Sequence, residues 1–235
     1  MSPLIVGHRG VSGTFPENTT SSIKQAISLG LRWVEVDIQP AKDGTLVVCH
    51  DHTVDRCSNG LGRVDSFTLS QLKQLDFGSW FSDEFIGESI LTLDELLQLS
   101  IEHDLNVNIE IKVDQHDANQ VVKQLNQQLA QSDIPSDCVI LSSFSQDIMR
   151  VLHQHCPGYR LSVISETVTD SVHQLLEEIN AFGCHLNYQH INKEQLKSLK
   201  NKGYQVWCYT VNRVDTFPLL NHVDAIFTDY PERFL

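Results

Sequence analysis

The chain has 235 residues and a formal net charge of −13, which together favour one large, acidic globular domain. Hydrophobic residues make up 41% of it and charged residues 20%, and this ordinary composition excludes the fibrous, disordered and low-complexity classes. The negative charge argues against a nucleic-acid partner, because affinity for DNA or RNA depends mostly on Lys and Arg contacts to phosphate. An acidic protein that binds a small anion needs a local concentration of positive charge.

The sequence predicts neither an export signal nor a membrane span. The first residues have no basic segment followed by a long apolar one, and no apolar run approaches the roughly 18 residues that a span needs. The six cysteines are scattered without a CxxC pair, which is typical of reduced thiols rather than of a disulfide framework or a zinc site. We therefore expect a cytoplasmic protein without stable membrane insertion, and the oligomeric state is left open.

Predicted strands and helices alternate along the chain. The strands are predicted at Leu4–His8, Val34–Ile38, Val107–Lys112, Val139–Phe144, Arg160–Ile164, His185–Tyr188, Gln205–Thr210 and Ala225–Asp229. The helices are predicted at Thr20–Leu29, Leu93–His103, Ala118–Gln131, Ser145–His155, Asp170–Asn180, Lys193–Lys200 and Val214–Leu220. Eight strands separated by helices favour a TIM (β/α)8 barrel, and the alternative is a doubly wound open sheet.

The segment 52–89 interrupts this alternation and contains turn signals. Its aromatic residues are Phe77, Trp80, Phe81 and Phe85. We interpret the segment as a small insertion that caps one end of the barrel. Nothing in the sequence indicates a linker between two domains, so we expect residues 1–235 to form one barrel domain that contains this insertion.

A further short strand, Leu46–His50, follows the second strand too closely to be its parallel neighbour, because a parallel crossover needs a dozen or more residues. The intervening Asp43-Gly44 pair is typical of a two-residue hairpin turn. If these two residues form the turn, the strands pair antiparallel with Asp37 opposite His50. A slip of one residue would reverse the direction of every side chain.

Ionisable residues lie at the carboxyl ends of several predicted strands and on the hairpin, where a barrel of this type carries out its chemistry. These residues are His8, Arg9, Glu35, Asp37, His50, Glu110 and Lys112. Carboxylates that converge on one mouth repel one another unless positive charge neutralises them. Oxygen donors suit a hard divalent ion, Mg²⁺ or Ca²⁺, better than zinc. The pattern therefore predicts a metal ion held by Glu35, Asp37 and Glu110.

Each of these residues also has a structural explanation when it is taken alone. A single carboxylate on a strand is usually solvated or half of an ion pair. His8 and His50 would more often be hydrogen-bonded structural histidines than catalytic ones, and Arg9 and Lys112 would serve as counterions. The functional interpretation gains weight because ionisable residues follow three separate strands.

Several short motifs recur along the chain in a fixed order. They are GHRG near the start, ENT at Glu17–Thr19, EVD at Glu35–Asp37, HD at His50-Asp51, EIK at Glu110–Lys112, SSF at Ser142–Phe144, TVN at Thr210–Asn212 and TDYP at Thr228–Pro231. In this order and spacing, the chain resembles the glycerophosphodiester phosphodiesterases from Val6 to Pro231. The segment 52–89, with DRCSNGLGRV and LDFGSWF, looks like the insertion of the bacterial-type cytoplasmic members. One departure is Tyr209, since relatives often carry Trp directly before TVN.

The resemblance implies a TIM-barrel enzyme that hydrolyses deacylated phospholipids, such as glycerophosphocholine, to sn-glycerol 3-phosphate and an alcohol. The roles that it implies are general acid and base for His8 and His50, phosphate binding for Arg9 and Lys112, and metal binding for Glu35, Asp37 and Glu110. It also implies that the 2-hydroxyl of glycerol attacks first and that water then opens the cyclic phosphate.

Two other classes of function stay open on the residues alone. A barrel that binds phosphodiesters without cleaving them would need no paired acid and base. A phospholipase-like enzyme or a metal-dependent sugar isomerase would use the same scaffold, although intact lipids would call for a basic or apolar surface that the acidic charge does not favour. The sequence does not rank the head-group alcohols or the divalent ions, or decide which histidine starts as the base.

Overall fold

The structure of the protein is a computed structural model that describes residues 2–235. Its strands are β1 (Leu4–His8), β2 (Trp33–Pro40), β3 (Leu46–Val48), β4 (Leu91–Thr92), β5 (Asn106–Ile111), β6 (Val139–Ser143), β7 (Arg160–Ser165), β8 (Gly183–Asn187), β9 (Gln205–Tyr209) and β10 (Ala225–Thr228). Its helices are α1 (Thr20–Ser28), α2 (Leu69–Leu72), α3 (Leu93–Glu102), α4 (Ala118–Gln131), α5 (Gln146–His155), α6 (Asp170–Glu178) and α7 (Lys193–Asn201).

The sheet closes on itself. Apart from the short strands β3 and β4, each strand pairs in parallel with its neighbours, and β1 pairs with both β2 and β10. Helices lie between the consecutive parallel strands over most of the chain. The predicted TIM (β/α)8 barrel is therefore confirmed, and the open doubly wound sheet is excluded because an open sheet would leave two unpaired edges.

The apolar residues form one layer outside the barrel wall and another inside it. The outer layer packs the helices on the strands, and α4 shows the helical spacing that makes this possible. Its buried residues are Val121, Val122, Leu125 and Leu129. The inner layer consists of Val6, Trp33, Ile140, Trp207, Ala225 and Phe227. Val6 lies two residues before His8 on β1, and Trp33 lies two residues before Glu35 on β2. The inner layer therefore fills the barrel below the strand ends that carry His8 and Glu35.

Capping residues fix the start of the helices. The Thr19 hydroxyl accepts a hydrogen bond from the Ser22 N–H at the start of α1. Thr92 and Glu95 form a capping box at the start of α3, in which each side chain bonds the backbone of the other residue. These contacts satisfy N–H groups that would otherwise lack partners, and they hold α1 and α3 in place directly after the preceding segment.

The segment 214–220, which was predicted to be a helix, is not an α-helix. It forms short 3-10 turns at Val214–Thr216 and Leu220–His222, and Phe217 between them is extended (φ −124°, ψ 94°). Pro218 explains the difference, because proline has no backbone N–H and disfavours helical dihedrals at the residue before it. The helix prediction was therefore wrong at this position.

The hairpin that joins β2 to β3 has a three-residue loop rather than the predicted two-residue turn. The Ala41 N–H donates to the Thr45 carbonyl (2.8 Å), and Gly44 has a positive φ of 86°. A three-residue hairpin loop needs a residue in the left-handed conformation, and glycine adopts it without strain. The Asp43-Gly44 pair thus occupies the last two of three loop positions.

The longer loop shifts the strand register by one residue from the prediction. The Cys49 N–H donates to the Asp37 carbonyl (2.9 Å), so Asp37 lies opposite Cys49 and not opposite His50. The ladder pairs Ile38 with Val48 in the same register. The β3 strand ends at Val48, and His50 lies in a bend beyond it.

The segment between β3 and β4 packs against the hairpin and against the loop that follows β1. Phe77 is buried in a small apolar cluster with residues of the hairpin. Phe85 contacts both Phe81 (ring centroids 5.8 Å apart) and Phe15 of the β1–α1 loop (5.2 Å). Within residues 2–235, no helix combines the length and the hydropathy that crossing a bilayer requires.

Candidate active site

Three carboxylates converge at the carboxyl-end mouth of the barrel. Glu35 and Asp37 on β2 and Glu110 on β5 each offer an oxygen, and these oxygens all lie within 4.8 Å of one another. All three residues are buried. In the β2–β5 ladder Asp37 lies beside Glu110, and residues two positions apart on a strand point to the same face. The structure therefore brings together the acids that the sequence singled out.

Two cations lie against this acidic cluster. Lys112 Nζ is 3.2 Å from Asp37 Oδ1, and it also pairs with Glu110. Arg9 Nε is 3.5 Å from Asp37 Oδ2, and the Arg9 backbone N–H donates to Glu35 Oε2 (3.1 Å). Arg9 has a φ of 52°, a conformation that side-chain-bearing residues seldom adopt. Three carboxylates thus face two cations, which leaves negative charge in excess.

The crowding separates the proton affinities of the three acids. Burial and repulsion from Asp37 and Glu110 raise the pKa of Glu35 well above its usual value. Burial and the Asp37 charge raise the pKa of Glu110 to about 7. For Asp37, burial acts in the opposite direction, but Lys112 and Arg9 outweigh it and lower the pKa to about 2. Negative charge is therefore held most firmly on Asp37.

The donor set of the acidic cluster fits a hard divalent cation. It consists of carboxylates alone, which are ligands that Mg²⁺ and Ca²⁺ prefer, whereas zinc favours nitrogen and sulfur. Asp37 Oδ1 is buried, and its one charged neighbour is Lys112 Nζ at 3.2 Å, which makes no hydrogen bond of regular geometry to it. A dication would offset the excess negative charge of the cluster.

His8 lies at the end of β1 beside the acidic cluster. Its Nε2 is 3.8 Å from Glu35 Oε2, and its Nδ1 is hydrogen-bonded to Asp229 Oδ1 at 2.6 Å. Ser12 Oγ and Asn212 Nδ2 donate to the Asp229 carboxylate at 2.8 and 2.6 Å. The carboxylate is therefore fixed by several donors, and it fixes in turn the orientation of the imidazole.

His50 is held by a chain of ion pairs. Its Nδ1 is hydrogen-bonded to Asp51 Oδ1 at 2.7 Å, and the Arg56 guanidinium donates both to Asp51 (2.7 Å) and to Glu17 (2.7 Å). Glu17 also accepts a hydrogen bond from Arg9 (2.8 Å). Burial lowers the pKa of His50, which keeps the ring neutral near pH 7. Arg56 thus connects the inserted segment to His50 and, through Glu17, to Arg9.

A cavity of about 210 Å³ lies between these groups. Of the residues predicted for the site, its wall includes His8, Arg9, Glu35, His50, Glu110 and Lys112. Asp37 lies behind this wall and is only 1% exposed. The apolar part of the wall comes from Phe144, Ile164, Tyr209 and Phe227. No residue of segment 52–89 is among the described wall residues.

Comparisons with known proteins agree with this geometry. The model of the glycerophosphoryl diester phosphodiesterase family matches residues 8–233. A glycerophosphodiester phosphodiesterase of Caldanaerobacter subterraneus subsp. tengcongensis is 34% identical over 237 residues, which cover 100% of this chain and 97% of that protein. The chain belongs to the glycerophosphoryl diester phosphodiesterase family. The predicted family and the predicted enzyme class, a phosphodiesterase, are confirmed.

Two further similar proteins bear on the fold and the site. A glycerophosphodiester phosphodiesterase of Bacillus subtilis is 33% identical over 253 residues, which cover 98% of this chain and 85% of that protein. A solved phosphodiesterase of Oleispira antarctica, in complex with the product sn-glycerol-3-phosphate, superposes with a TM-score of 0.92 at 29% identity. The superposition covers 99% of this chain and 95% of that one.

Several residues of the site were not assigned a role by reasoning from the sequence. Glu17, Asp51 and Asp229 lie within family motifs. The HD motif placed Asp51 next to His50, but nothing local indicated that Glu17 binds Arg9 and Arg56 or that Asp229 binds His8. Asn18, also in a motif, donates from Nδ2 to Asp37 Oδ2 at 2.9 Å. Arg56 had only the insertion motif DRCSNGLGRV as a signal.

The residue that departs from the family pattern lies in the cavity wall. Tyr209 stands directly before the TVN motif and lines the cavity, and its ring contacts Phe144 (centroids 5.9 Å apart). Trp207 is buried two residues earlier, where it belongs to the inner apolar layer. Trp207 is not among the described residues of the cavity wall.

Proposed function

We propose that the chain hydrolyses glycerophosphodiesters, the deacylated forms of phospholipids, to sn-glycerol 3-phosphate and an alcohol. The reaction would use a divalent metal ion, Mg²⁺ or Ca²⁺, and two histidines as general acid and base. One observation carries the proposal: an all-carboxylate cluster, two cations and two carboxylate-bound imidazoles surround one cavity in a member of this family. The Oleispira antarctica relative, which contains sn-glycerol-3-phosphate as product, supports the same substrate class.

Phosphodiester cleavage needs neutralisation of the negative charge on the phosphate oxygens. Arg9 and Lys112 both line the cavity, and we infer that they hold these oxygens. A divalent ion bound by Glu35, Asp37 and Glu110 would act as a Lewis acid on the phosphoryl group. Such an ion stabilises the transition state by several kcal/mol. Because the two cations are already paired with carboxylates, they neutralise the phosphate only if the cluster carries additional positive charge.

His8 and His50 suit the two proton transfers. In each ring Nδ1 is bonded to a carboxylate, so Nε2 is the nitrogen that exchanges the proton. One histidine would take the proton from the 2-hydroxyl of glycerol as its oxygen attacks phosphorus, and the other would protonate the departing alkoxide. Water would then open the cyclic phosphate with the roles exchanged. Histidine is the side chain that most often acts as a general acid or base near neutral pH.

We also infer the setting in which the reaction takes place. The six cysteines are free thiols, which supports a reducing compartment and hence the cytoplasm. The net charge of −13 supports a small-molecule substrate and no nucleic-acid partner. We treat the whole chain as a single barrel domain in which residues 52–89 form an insertion.

The test is a coupled assay for glycerol 3-phosphate release from glycerophosphocholine and glycerophosphoethanolamine. We expect release with Mg²⁺ or Ca²⁺, none after EDTA treatment, and recovery when the ion is restored. His8→Ala and His50→Ala should each lower kcat by about 10²–10⁴-fold with an unchanged melting temperature. His173→Ala, on α6 and outside the cavity wall, is the matched control.

The possible outcomes separate the hypotheses. Near-wild-type turnover in both active-site histidine variants would eliminate the acid–base assignment. Binding of the diester without release of glycerol 3-phosphate, whatever ion is supplied, would favour a binding protein over an enzyme. Activity that survives EDTA unchanged would remove the metal from the proposal.

A further inference from the structure

The carboxyl ends of β6 to β9, which are neighbours in the sheet, form the part of the barrel mouth that does not carry the acidic cluster. Phe144 directly follows β6, Glu166 directly follows β7, and Tyr209 ends β9. Phe144 and Tyr209 line the cavity, and their rings meet at an interplanar angle of 77°. These three residues, here called the β6–β9 rim, have no part in the phosphate, metal or proton-transfer roles proposed above.

Glu166 is held in place on this rim by several side chains. The Tyr209 hydroxyl donates to Glu166 Oε1 (3.3 Å), and Asn187 Nδ2 donates to Oε2 (2.8 Å). Burial and the Glu166 charge raise the pKa of Tyr209, so the phenol keeps the proton that it donates. The carboxylate is thus attached to a residue of the cavity wall, and yet 57% of its side chain is exposed.

The donors that hold Glu166 do not neutralise its charge. Tyr and Asn are neutral, and within residues 2–235 Glu166 forms no ion pair with a lysine or an arginine; its one basic neighbour is His190, 3.4 Å away. By contrast, Asp51 and Glu17 are both paired with Arg56. Glu166 is therefore a fixed, exposed negative charge that an external cation reaches from the cavity mouth.

The two aromatic rings of the rim complement the same kind of ligand. The face of an aromatic ring carries partial negative charge and attracts an ammonium group that lies within about 6 Å of its centre. Phe144 already shows this attraction, since Lys112 Nζ lies 5.8 Å from its centroid. Phe144 is also 47% exposed, so part of the ring is open to solvent at the mouth. Two rings beside a carboxylate match a cation that has an apolar body.

We propose that the β6–β9 rim binds a cationic head group of the diester, the ammonium group of ethanolamine or the trimethylammonium group of choline. This proposal rests on the proposed function, in which Lys112 holds the phosphate. Because Lys112 lies beside Phe144, the rim begins next to the phosphate position, and only two carbons separate the ester oxygen from the nitrogen in either head group. The negative phosphate offsets the Lys112 charge, so a second cation is accepted there. The rim then favours cationic over neutral head groups.

The test uses pairs of diesters whose head groups have the same shape and differ in charge. Glycerophosphocholine is compared with its neohexyl analogue, in which carbon replaces the nitrogen, and glycerophosphoethanolamine is compared with its propyl analogue. The measured quantity is the ratio of kcat/KM, cationic over neutral, with Mg²⁺ or Ca²⁺ present. Because the paired alcohols differ in acidity, the ratio of each variant is compared with the ratio of the wild type.

Two variants should lower this ratio, each through a different contact. Glu166→Gln should lower it by about 2- to 5-fold, the size of a partly exposed ion pair, and most for ethanolamine, whose N–H groups bond to a carboxylate. Tyr209→Leu should lower it by about 2- to 5-fold, and most for choline, which depends on the aromatic ring. Glu177→Gln, a 62% exposed acid on α6 outside the cavity wall, is the matched control and should leave the ratio unchanged.

Two results would overturn the proposal. One is a ratio in Glu166→Gln that equals the wild-type ratio for both pairs of diesters. The other is an equal loss of kcat/KM for the cationic and the neutral member of a pair, because it would show that these side chains only support the cavity wall. Glu166 is exposed, so its variant is expected to fold, and Phe144→Leu replaces Tyr209→Leu if the latter does not.

Failure of this inference can be told apart from failure of the proposed function. If glycerol 3-phosphate is released from the diesters and the variants leave the ratio unchanged, the assignment of the rim is wrong and the function stands. If none of the diesters is cleaved, the proposed function fails. Calorimetric affinities of the uncleaved diesters then apply the same criterion to the rim, with the ratio of affinities in place of the ratio of kcat/KM.

Discussion

Replacing Glu110 with Gln should stabilise the metal-free protein above neutral pH and should also remove its stabilisation by a divalent ion. The reason is that the wild-type carboxylate lies in a buried cluster with an excess of negative charge. Gln has nearly the shape of a protonated Glu and carries no charge. The side chain that we propose as a metal ligand is therefore unfavourable when the ion is absent.

The magnitude follows from the shift in proton affinity. Burial and the Asp37 charge raise the pKa of Glu110 from 4.5 to about 7. Because the folded value is the higher one, the wild type loses stability as the pH rises from about 4.5 through about 7, and each unit corresponds to about 1.4 kcal/mol. Above pH 7 the loss is about 3 kcal/mol, and a chain of this size shifts its Tm by about 2–4 °C per kcal/mol. Glu110→Gln should thus melt several degrees above the wild type at pH 8 and at nearly the same temperature at pH 4.5.

The divalent ion should cancel most of this difference at a hundred times Kd and reverse the order near a thousand times Kd. A ligand that binds only the folded state adds about 2.7 kcal/mol at a hundred times Kd and about 4.1 kcal/mol at a thousand times Kd. The wild type should gain this stability, whereas Glu110→Gln, which lacks one of the three proposed ligands, should gain little. Thermal melts at pH 4.5, 6 and 8, with EDTA and with increasing Mg²⁺ or Ca²⁺, measure both effects. Glu84→Gln, an exposed acid of the inserted segment, is the control and should follow the wild type.

Two results would refute this reasoning. If metal-free Glu110→Gln is less stable than the wild type at pH 8, the carboxylate is favourable in the metal-free fold and the cluster is an ordinary ion-pair network with Lys112. If the ion stabilises both proteins equally, Glu110 does not bind it. Either result would remove the physical argument for a metal ion in the cluster.

Further variants test how the two histidines are held. Arg56→Met should destabilise the protein by about 1–2 kcal/mol, because it breaks two partly exposed ion pairs, with Asp51 and Glu17, and it should lower kcat by about tenfold or more. Arg56→Lys should recover the charge but not the forked geometry, and hence only part of kcat. Asp229→Asn should lower kcat by about 10²–10⁴-fold with a nearly unchanged KM, because the amide no longer fixes the His8 ring in one tautomer. Thermal melts and steady-state kinetics on glycerophosphocholine measure each outcome.

The fold was predictable because its signals are local and repeated. Apolar strands alternate with amphipathic helices along the chain, and a parallel barrel requires this pattern. The two errors arose where one residue outweighed the pattern. Pro218 prevents the helix that periodicity predicted at 214–220, and Gly44 at positive φ lengthens the hairpin loop by one residue.

The site was predictable only in part, for a related reason. Strand ends identify which side chains reach the mouth of a barrel, and this rule brought together Glu35, Asp37 and Glu110. The rule says nothing of which partner fixes each group. His8 is bonded to Asp229, which lies 221 residues away in sequence, and no local pattern indicates such a pair.

His50 lines the cavity as predicted, although the predicted register of the hairpin was wrong by one residue. If His50 belonged to the strand, the shift of one residue in register would turn its ring to the face opposite the acids. The ladder ends at Val48, however, so alternation no longer governs His50, and its ring is oriented by Asp51 and Arg56 instead. The inserted segment contributes no side chain to the cavity wall, and yet it fixes one of the two imidazoles through Arg56. The orientation of His50 therefore depends on an ion-pair network outside the cavity wall as well as on the strands that line the cavity.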